Sequence, residues 1–122
     1  MINRDETAAK RILKEWADMK HNLERLFRER DFKNVDAMMK QGIGLFIRFL
    51  YITNGQDDQP ASRQPIPYQE FSVIPINLEE RLEFVRNRPN LFHSYRQLSE
   101  LMVELEKLFV IENIKKSSRT NS

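Results

Sequence analysis

In the first part of the chain Ile12, Trp16, Met19, Leu23 and Leu26 recur in steps of four and three, with Leu13 and Phe27 widening the stripe. That period puts them on one face of an α-helix and predicts an amphipathic helix over about 5–30. Lys14, Asp18, His21, Arg25 and Arg28 fall on the opposite, solvated face. After a break at 31–34 the pattern changes. Between 35 and 53, Val35, Met38, Met39, Ile43, Leu45, Phe46, Ile47, Phe49, Leu50 and Ile52 cover nearly the whole circumference of a helix. Only Ala37, Gln41, Gly44 and Arg48 form a narrow small-or-polar strip, so this helix is expected at the buried centre of the fold. Asn54-Gly55 tolerates a left-handed backbone and ends it.

The stretch 55–67 carries Asp57, Asp58, Pro60, Pro65 and Pro67 and almost no apolar side chain before Ile66, which predicts a surface loop and the most mobile part of the molecule. Tyr68, Phe71, Val73, Ile74 and Ile76 then lie between prolines. They predict an irregular, extended segment packed on the bundle, with one helical turn near 68–71. Asn77 is placed to cap a third helix over 78–88, with Glu80 reaching back to the Asn77 amide. Pro89 disfavours helical geometry in the residue before it, and Asn90 can cap a fourth helix over 91–114. In that helix Leu91, Tyr95, Leu98, Met102, Leu105 and Phe109 repeat the four-three alternation of the first, with Phe92 alongside, which suits antiparallel packing. Residues 115–122 read as a flexible basic tail. The fold class is therefore all-α, a four-helix bundle-like single domain spanning 1–114.

Composition narrows the function classes more than it names one. Twenty basic against 18 acidic side chains leave a net charge of +2, and the two signs are interleaved, which argues weakly for nucleic acid. The chain has no cysteine, so disulfides, thiolate nucleophiles and thiolate metal sites are excluded. Its longest apolar run, 43–52, contains Arg48 and falls well short of the about 20 residues that span a bilayer. The first residues lack the apolar core of a signal peptide. These features point away from a membrane and to a cytoplasmic location.

Candidate chemistry is sparse. Asp18, His21 and Glu24 have a spacing that joins neighbours on a helix, yet His21 lies roughly 160° from the seam, whereas a bundle metal site needs inward ligands. His93 falls about 160° from its own seam, so an exposed role is the better reading. Gly42-Ile43-Gly44 lies inside a helical pattern without the strand and Gly-Lys-Ser/Thr of a phosphate loop; close helix packing accounts for it. Arg48, among Ile47, Phe49 and Leu50, is expected to be partly buried in an ion pair with Glu70, Glu80 or Glu83. Met38 and Met39, with Met19 and Met102, suit a core or an adaptable groove for a partner helix. No catalytic constellation, cofactor motif or metal-ligand set emerges.

Several segments together resemble a known family. Gly42-Ile43 opens an apolar helix that ends Tyr51-Ile52-Thr53-Asn54-Gly55; then come Pro75-Ile76-Asn77-x-x-Glu80-Arg81-Leu82-x-Phe84, Pro89-x-x-Phe92 and Gln97-Leu98-x-Glu100-Leu101. Their order and spacing, over about half of the chain, resemble the YpoC-like family of small uncharacterised bacterial proteins. Ile74 stands where a basic residue commonly precedes the proline, and Tyr51 where tryptophan is frequent. The resemblance implies a helical fold and a Gram-positive origin, carries over no reaction, cofactor or catalytic residue, and raises a link to DNA replication and repair through gene neighbourhood.

The leading functional expectation is a non-enzymatic protein–protein interaction module, with an unidentified protein partner or a second copy of the chain as a homodimer. Its expected surface comprises Asn77, Glu80, Arg81, His93, Arg96 and Gln97. The rivals are an accessory factor of DNA metabolism that binds nucleic acid or a repair enzyme, and a bundle that holds a small ligand or metal through Arg48 or a histidine.

Overall fold

The computed structural model describes residues 3–56 and 65–120. Among them are four α-helices and no strand: α1 (Arg4–Arg28), α2 (Phe32–Thr53), α3 (Leu78–Asn87) and α4 (Phe92–Thr120). The architecture is the all-α single domain that the periodicity predicts.

α1 starts at Asn3, whose side chain accepts from the Glu6 amide at 2.7 Å, and buries Ala9, Ile12, Trp16, Leu23 and Leu26. Its end is closed by a Schellman pair: Asp31 N–H donates to the Leu26 carbonyl and Arg30 N–H to that of Phe27. Arg30 occupies the left-handed position of that motif, with φ 56°. Asp31 then caps α2 through Asn34, so α2 starts three residues before the predicted Val35.

α2 is the buried centre, as expected. Its C-terminal half, including Phe46, Phe49, Leu50 and Tyr51, is out of solvent except for the half-buried Gly44 and Arg48. Gly42 lets the ring of Trp16 approach closely: a β-carbon there would stand 2.7 Å from a Trp16 ring carbon and 3.3 Å from Leu98 Cδ2. Asn54-Gly55 ends the helix with Gly55 at φ 70°. The Asn54 side chain does more than stop a helix. It donates to the Leu50 and Val73 carbonyls at 2.9 Å each, and its oxygen accepts from the Ser72 and Val73 amides at 2.9 and 2.8 Å. One amide thus pins the segment before α3 onto the end of α2.

That segment contains the expected short turn, a 3-10 helix at Tyr68–Glu70, and buries Ile66 and Phe71, the latter edge-on to Tyr51 at 5.1 Å. Packing is less complete than predicted. Ile74 is exposed, and Ile76 is 78% exposed. Most of the expected surface loop, 57–64, lies outside the described residues.

Three expectations for the second half are corrected. Asn77 has φ 57° and ψ 36° and makes no side-chain cap; in a left-handed residue the side chain is not aimed at the following amides, so the Asn77–Glu80 capping box does not form. α4 begins at Phe92, with Leu91 O accepting from Tyr95 N–H, so Asn90 is not its cap. And α4 continues to Thr120, past the end predicted at Ile114, because nothing between Lys115 and Thr120 is a helix breaker. α1 and α4 run antiparallel: Asn113 donates to Glu6 near one end, and Tyr95 to Glu24 near the other.

Candidate interaction surfaces

The residues expected to form a binding surface divide into a hub and its surroundings. Arg81, on α3, sends Nη1 to the Ile76 carbonyl (2.9 Å) and to Glu104 Oε1 (3.0 Å), and Nη2 to Glu104 Oε2 (2.5 Å). The Gln97 amide oxygen accepts from Nε and Nη2 of the same guanidinium, the amide orientation that satisfies both groups. The Glu104 hydrogen bond raises the Arg81 pKa and lowers that of Glu104. Arg81 therefore joins the segment before α3, α3 itself and α4, and its donors are spent inside the molecule.

Around this hub, Glu80, Arg81, Phe84, His93 and Gln97 line one groove of about 480 Å³ between α3 and α4. His93 is exposed and stands edge-on to Phe84 at 5.4 Å. Asn77 and Arg96 are exposed but do not line the groove. Arg48 is half-buried on α2 and has an interaction partner; of the carboxylates expected to face it, Glu83 receives the Tyr68 hydroxyl (2.5 Å) and Arg86 (2.6 Å). His21, Asp18 and Glu24 are exposed, and among the described residues no three metal-ligating side chains converge. No helix among them is long and apolar enough to cross a membrane.

A second surface was not anticipated. Where α1 ends and α2 and α4 begin, Phe27 meets Phe32 (6.5 Å, 72°) and Phe92 (5.3 Å, 75°) edge-on, and Tyr95 tilts against Phe27 and Phe92 at 5.8 and 5.7 Å. Phe32, Leu91 and Phe92 remain 46%, 42% and 53% exposed. With Arg28 and Arg30 they bound a groove of about 740 Å³, open along one side. At its floor the Tyr95 hydroxyl donates to Glu24 Oε1 at 2.8 Å; burial first, then this hydrogen bond, push the phenol up to about 12. The Asp31 carboxylate offsets the positive end of α2, whereas α4 has no acidic residue in its first turn.

The sequence held a faint signal for this surface. At 100° per residue, Phe92 lies about 90° from the middle of the Tyr95/Leu98/Met102 seam, a marginal position for a core side chain. Leu91 fits the seam by angle, but it precedes the helix and has no neighbouring turn beneath it.

The sequence model of the YpoC-like protein family matches residues 6–117. The chain belongs to this family. It is also similar to the uncharacterized protein YpoC of Bacillus subtilis (strain 168), with 31% identity over 94 residues. That match covers 77% of this chain and 57% of the relative, so the chain spans little more than half of the relative's length. No solved structure matches the chain significantly. Both surfaces lie within the family match. Of the residues that carry the resemblance, Gly42, Asn54 and Arg81 have internal packing or hydrogen-bonding roles, while Phe92 and Ile76 face solvent.

Proposed function

We propose that this YpoC-like protein is a non-enzymatic interaction module that docks a protein partner at the aromatic end of the bundle. The observation that carries the reading is the joint exposure of Phe32, Leu91 and Phe92 around a groove floored by Phe27 and Tyr95. Single exposed apolar side chains are ordinary, whereas a contiguous group rimmed by polar residues marks an interaction site. Aromatic and arginine side chains are also those that dominate interface energetics. The α3–α4 groove supports docking less well, because its arginine is already held by Glu104, Gln97 and Ile76. A nucleic-acid role has weaker support, since basic and acidic residues alternate along the helix faces.

A photo-crosslinking amino acid placed at Phe92, and separately at the exposed Lys14 of α1, tests the reading in native-host cells. A defined protein adduct from position 92 and none from position 14 is the expected result. Equal or absent adducts from both positions would remove it.

A further inference from the structure

We infer that the aromatic end receives an acidic peptide anchored by an apolar side chain, a deduction that rests on the interaction reading above and assigns its partner a chemistry. The groove, floored by the rings of Phe27 and Tyr95 with Phe92 at its rim, is mainly apolar, and its volume of about 740 Å³ has room for bulky side chains. The ionic groups around it are unequally committed. Arg25 is paired with Glu29 at 3.1 Å, Asp31 is taken up by Asn34, and Glu24 accepts the Tyr95 hydroxyl. Arg28 and Arg30 both line the groove, are exposed, and have no carboxylate partner among the described residues. Of the charged residues that line the groove, the two arginines outnumber the one carboxylate, Glu24, which keeps its negative charge while it accepts the neutral Tyr95 hydroxyl, so the lining is net positive.

Arg30 adds an independent observation. It sits at φ 56° in the helix-closing position that glycine ordinarily fills. A long side chain there costs about 1 kcal/mol of backbone strain relative to glycine; the backbone closes the helix through the Phe27 carbonyl, as glycine would, and the guanidinium makes no ion pair among the described residues. Its guanidinium is instead presented at the groove. Strain held at a site facing solvent fits a group retained for a ligand.

Single-stranded nucleic acid is the competing occupant of an aromatic, arginine-rimmed site. Two features favour the peptide. Phe32 and Phe92 meet Phe27 at 72° and 75°, and Tyr95 is tilted 43° and 32° from Phe27 and Phe92, so these ring pairs do not form the row of parallel faces on which successive bases stack. Glu24 also lines the floor; a peptide can set an apolar side chain over it and turn its carboxylates to the arginines, whereas a phosphate chain carries charge past it at every step.

The test is fluorescence anisotropy of the full chain with a labelled peptide of about ten residues, Asp and Glu carrying one Phe and one Leu. Comparison probes have the acids replaced by Lys, or the Phe and Leu by Ala, and a fourth probe is oligo-dT. The expected result is binding of the first peptide about tenfold or more tighter than of any other, weakening as salt rises. Arg30→Gly is the decisive variant, since relief of the positive φ is expected to raise the melting temperature while affinity falls several-fold. Arg28→Gln and Phe92→Ser are expected to weaken binding without unfolding the chain. No preference for the acidic peptide, tighter binding of oligo-dT, or unchanged affinity in Arg30→Gly would overturn the inference. If crosslinking from position 92 captures a protein and the Arg28→Gln/Arg30→Gly double variant captures it equally, the interaction reading stands and the acidic partner falls; no adduct from position 92 in the chain with both arginines intact removes both.

Discussion

Gly42 shows how one missing side chain sets the spacing of two helices. In an open helix, Gly→Ala stabilises by about 1 kcal/mol, but here the new carbon would stand 2.7 Å from the buried Trp16 ring and 3.3 Å from Leu98. A ring held at 4% exposure has little room to retreat, so overpacking outweighs propensity. Gly42→Ala is expected to destabilise by about 1–3 kcal/mol, measured by urea denaturation, with a shift in the fluorescence of the single tryptophan. Arg30 is the opposite case. Its left-handed backbone would be relaxed by glycine, and Arg30→Gly is expected to raise stability by about 1 kcal/mol. Asn77 shares that backbone region, but asparagine tolerates it, so Asn77→Gly should change stability by only a few tenths of a kcal/mol. Gly42 was legible in the sequence because a glycine inside an apolar helix demands a close neighbour. Arg30 was not, since nothing in its type announces a positive φ.

Periodicity exposed the helices, and side-chain hydrogen bonds decide how they join. α1 and α2 were readable from their apolar stripes, and α2's central place from apolar residues on all sides. The junctions were less readable. Asn54 could be recognised as a helix stop, yet three of its four hydrogen bonds, those to Ser72 and Val73, depend on a segment 18 and 19 residues away. Asn77 looked like a cap by its spacing to Glu80, but the backbone turns left-handed at that residue and removes the geometry. Arg81 was expected on a binding surface; that it pairs with Glu104 on α4 follows only from the way α3 docks. α4 carries a second source of error, because Val103, Val110, Ile111 and Ile114 stay exposed on the side away from its buried seam. Apolar residues on two faces blur the period that separates core from surface. Replacing Asn54 by Ala is expected to cost about 2 kcal/mol, one-half or so of the sum for four neutral bonds, since water can reach a half-buried site. Hydrogen exchange should show the loss concentrated at the Ser72 and Val73 amides; uniform loss across all helices would mean that the clamp holds the whole fold.

Two of the contacts that tie α4 to the rest of the molecule, Arg81–Glu104 and Tyr95–Glu24, titrate at opposite ends of the pH range. Arg81 holds the Glu104 carboxyl below its ordinary value of 4.5. A depressed acid favours the folded state while it is ionised, so its contribution is present above about 4.5 and is lost as pH falls through the folded pKa. Tyr95 works in the other direction. Burial and the Glu24 hydrogen bond push it from 10.0 to about 12, so the folded chain keeps a proton that the unfolded chain releases. Its contribution is intact below about 10 and declines as pH rises towards 12, by at most about 2–3 kcal/mol for a shift of that size. Tyr68 is raised as well, by burial and then by Glu83, and adds to the same alkaline limb. Between these limits the two ties leave stability flat. The expected measurement is denaturant-derived stability across the full pH range for the wild type, Glu104→Gln and Tyr95→Phe. Glu104→Gln should flatten the acid limb and leave the alkaline one unchanged, because the lost titration lies on α4's contact with α3. Tyr95→Phe should keep the acid limb and lessen the alkaline fall, with Tyr68 sustaining the remainder. If Glu104→Gln left the acid limb as steep as in the wild type, the Arg81–Glu104 ion pair would contribute nothing in solution, and the docking of α3 would rest on the buried Leu78, Leu82 and Val85 with the Gln97 and His93 contacts.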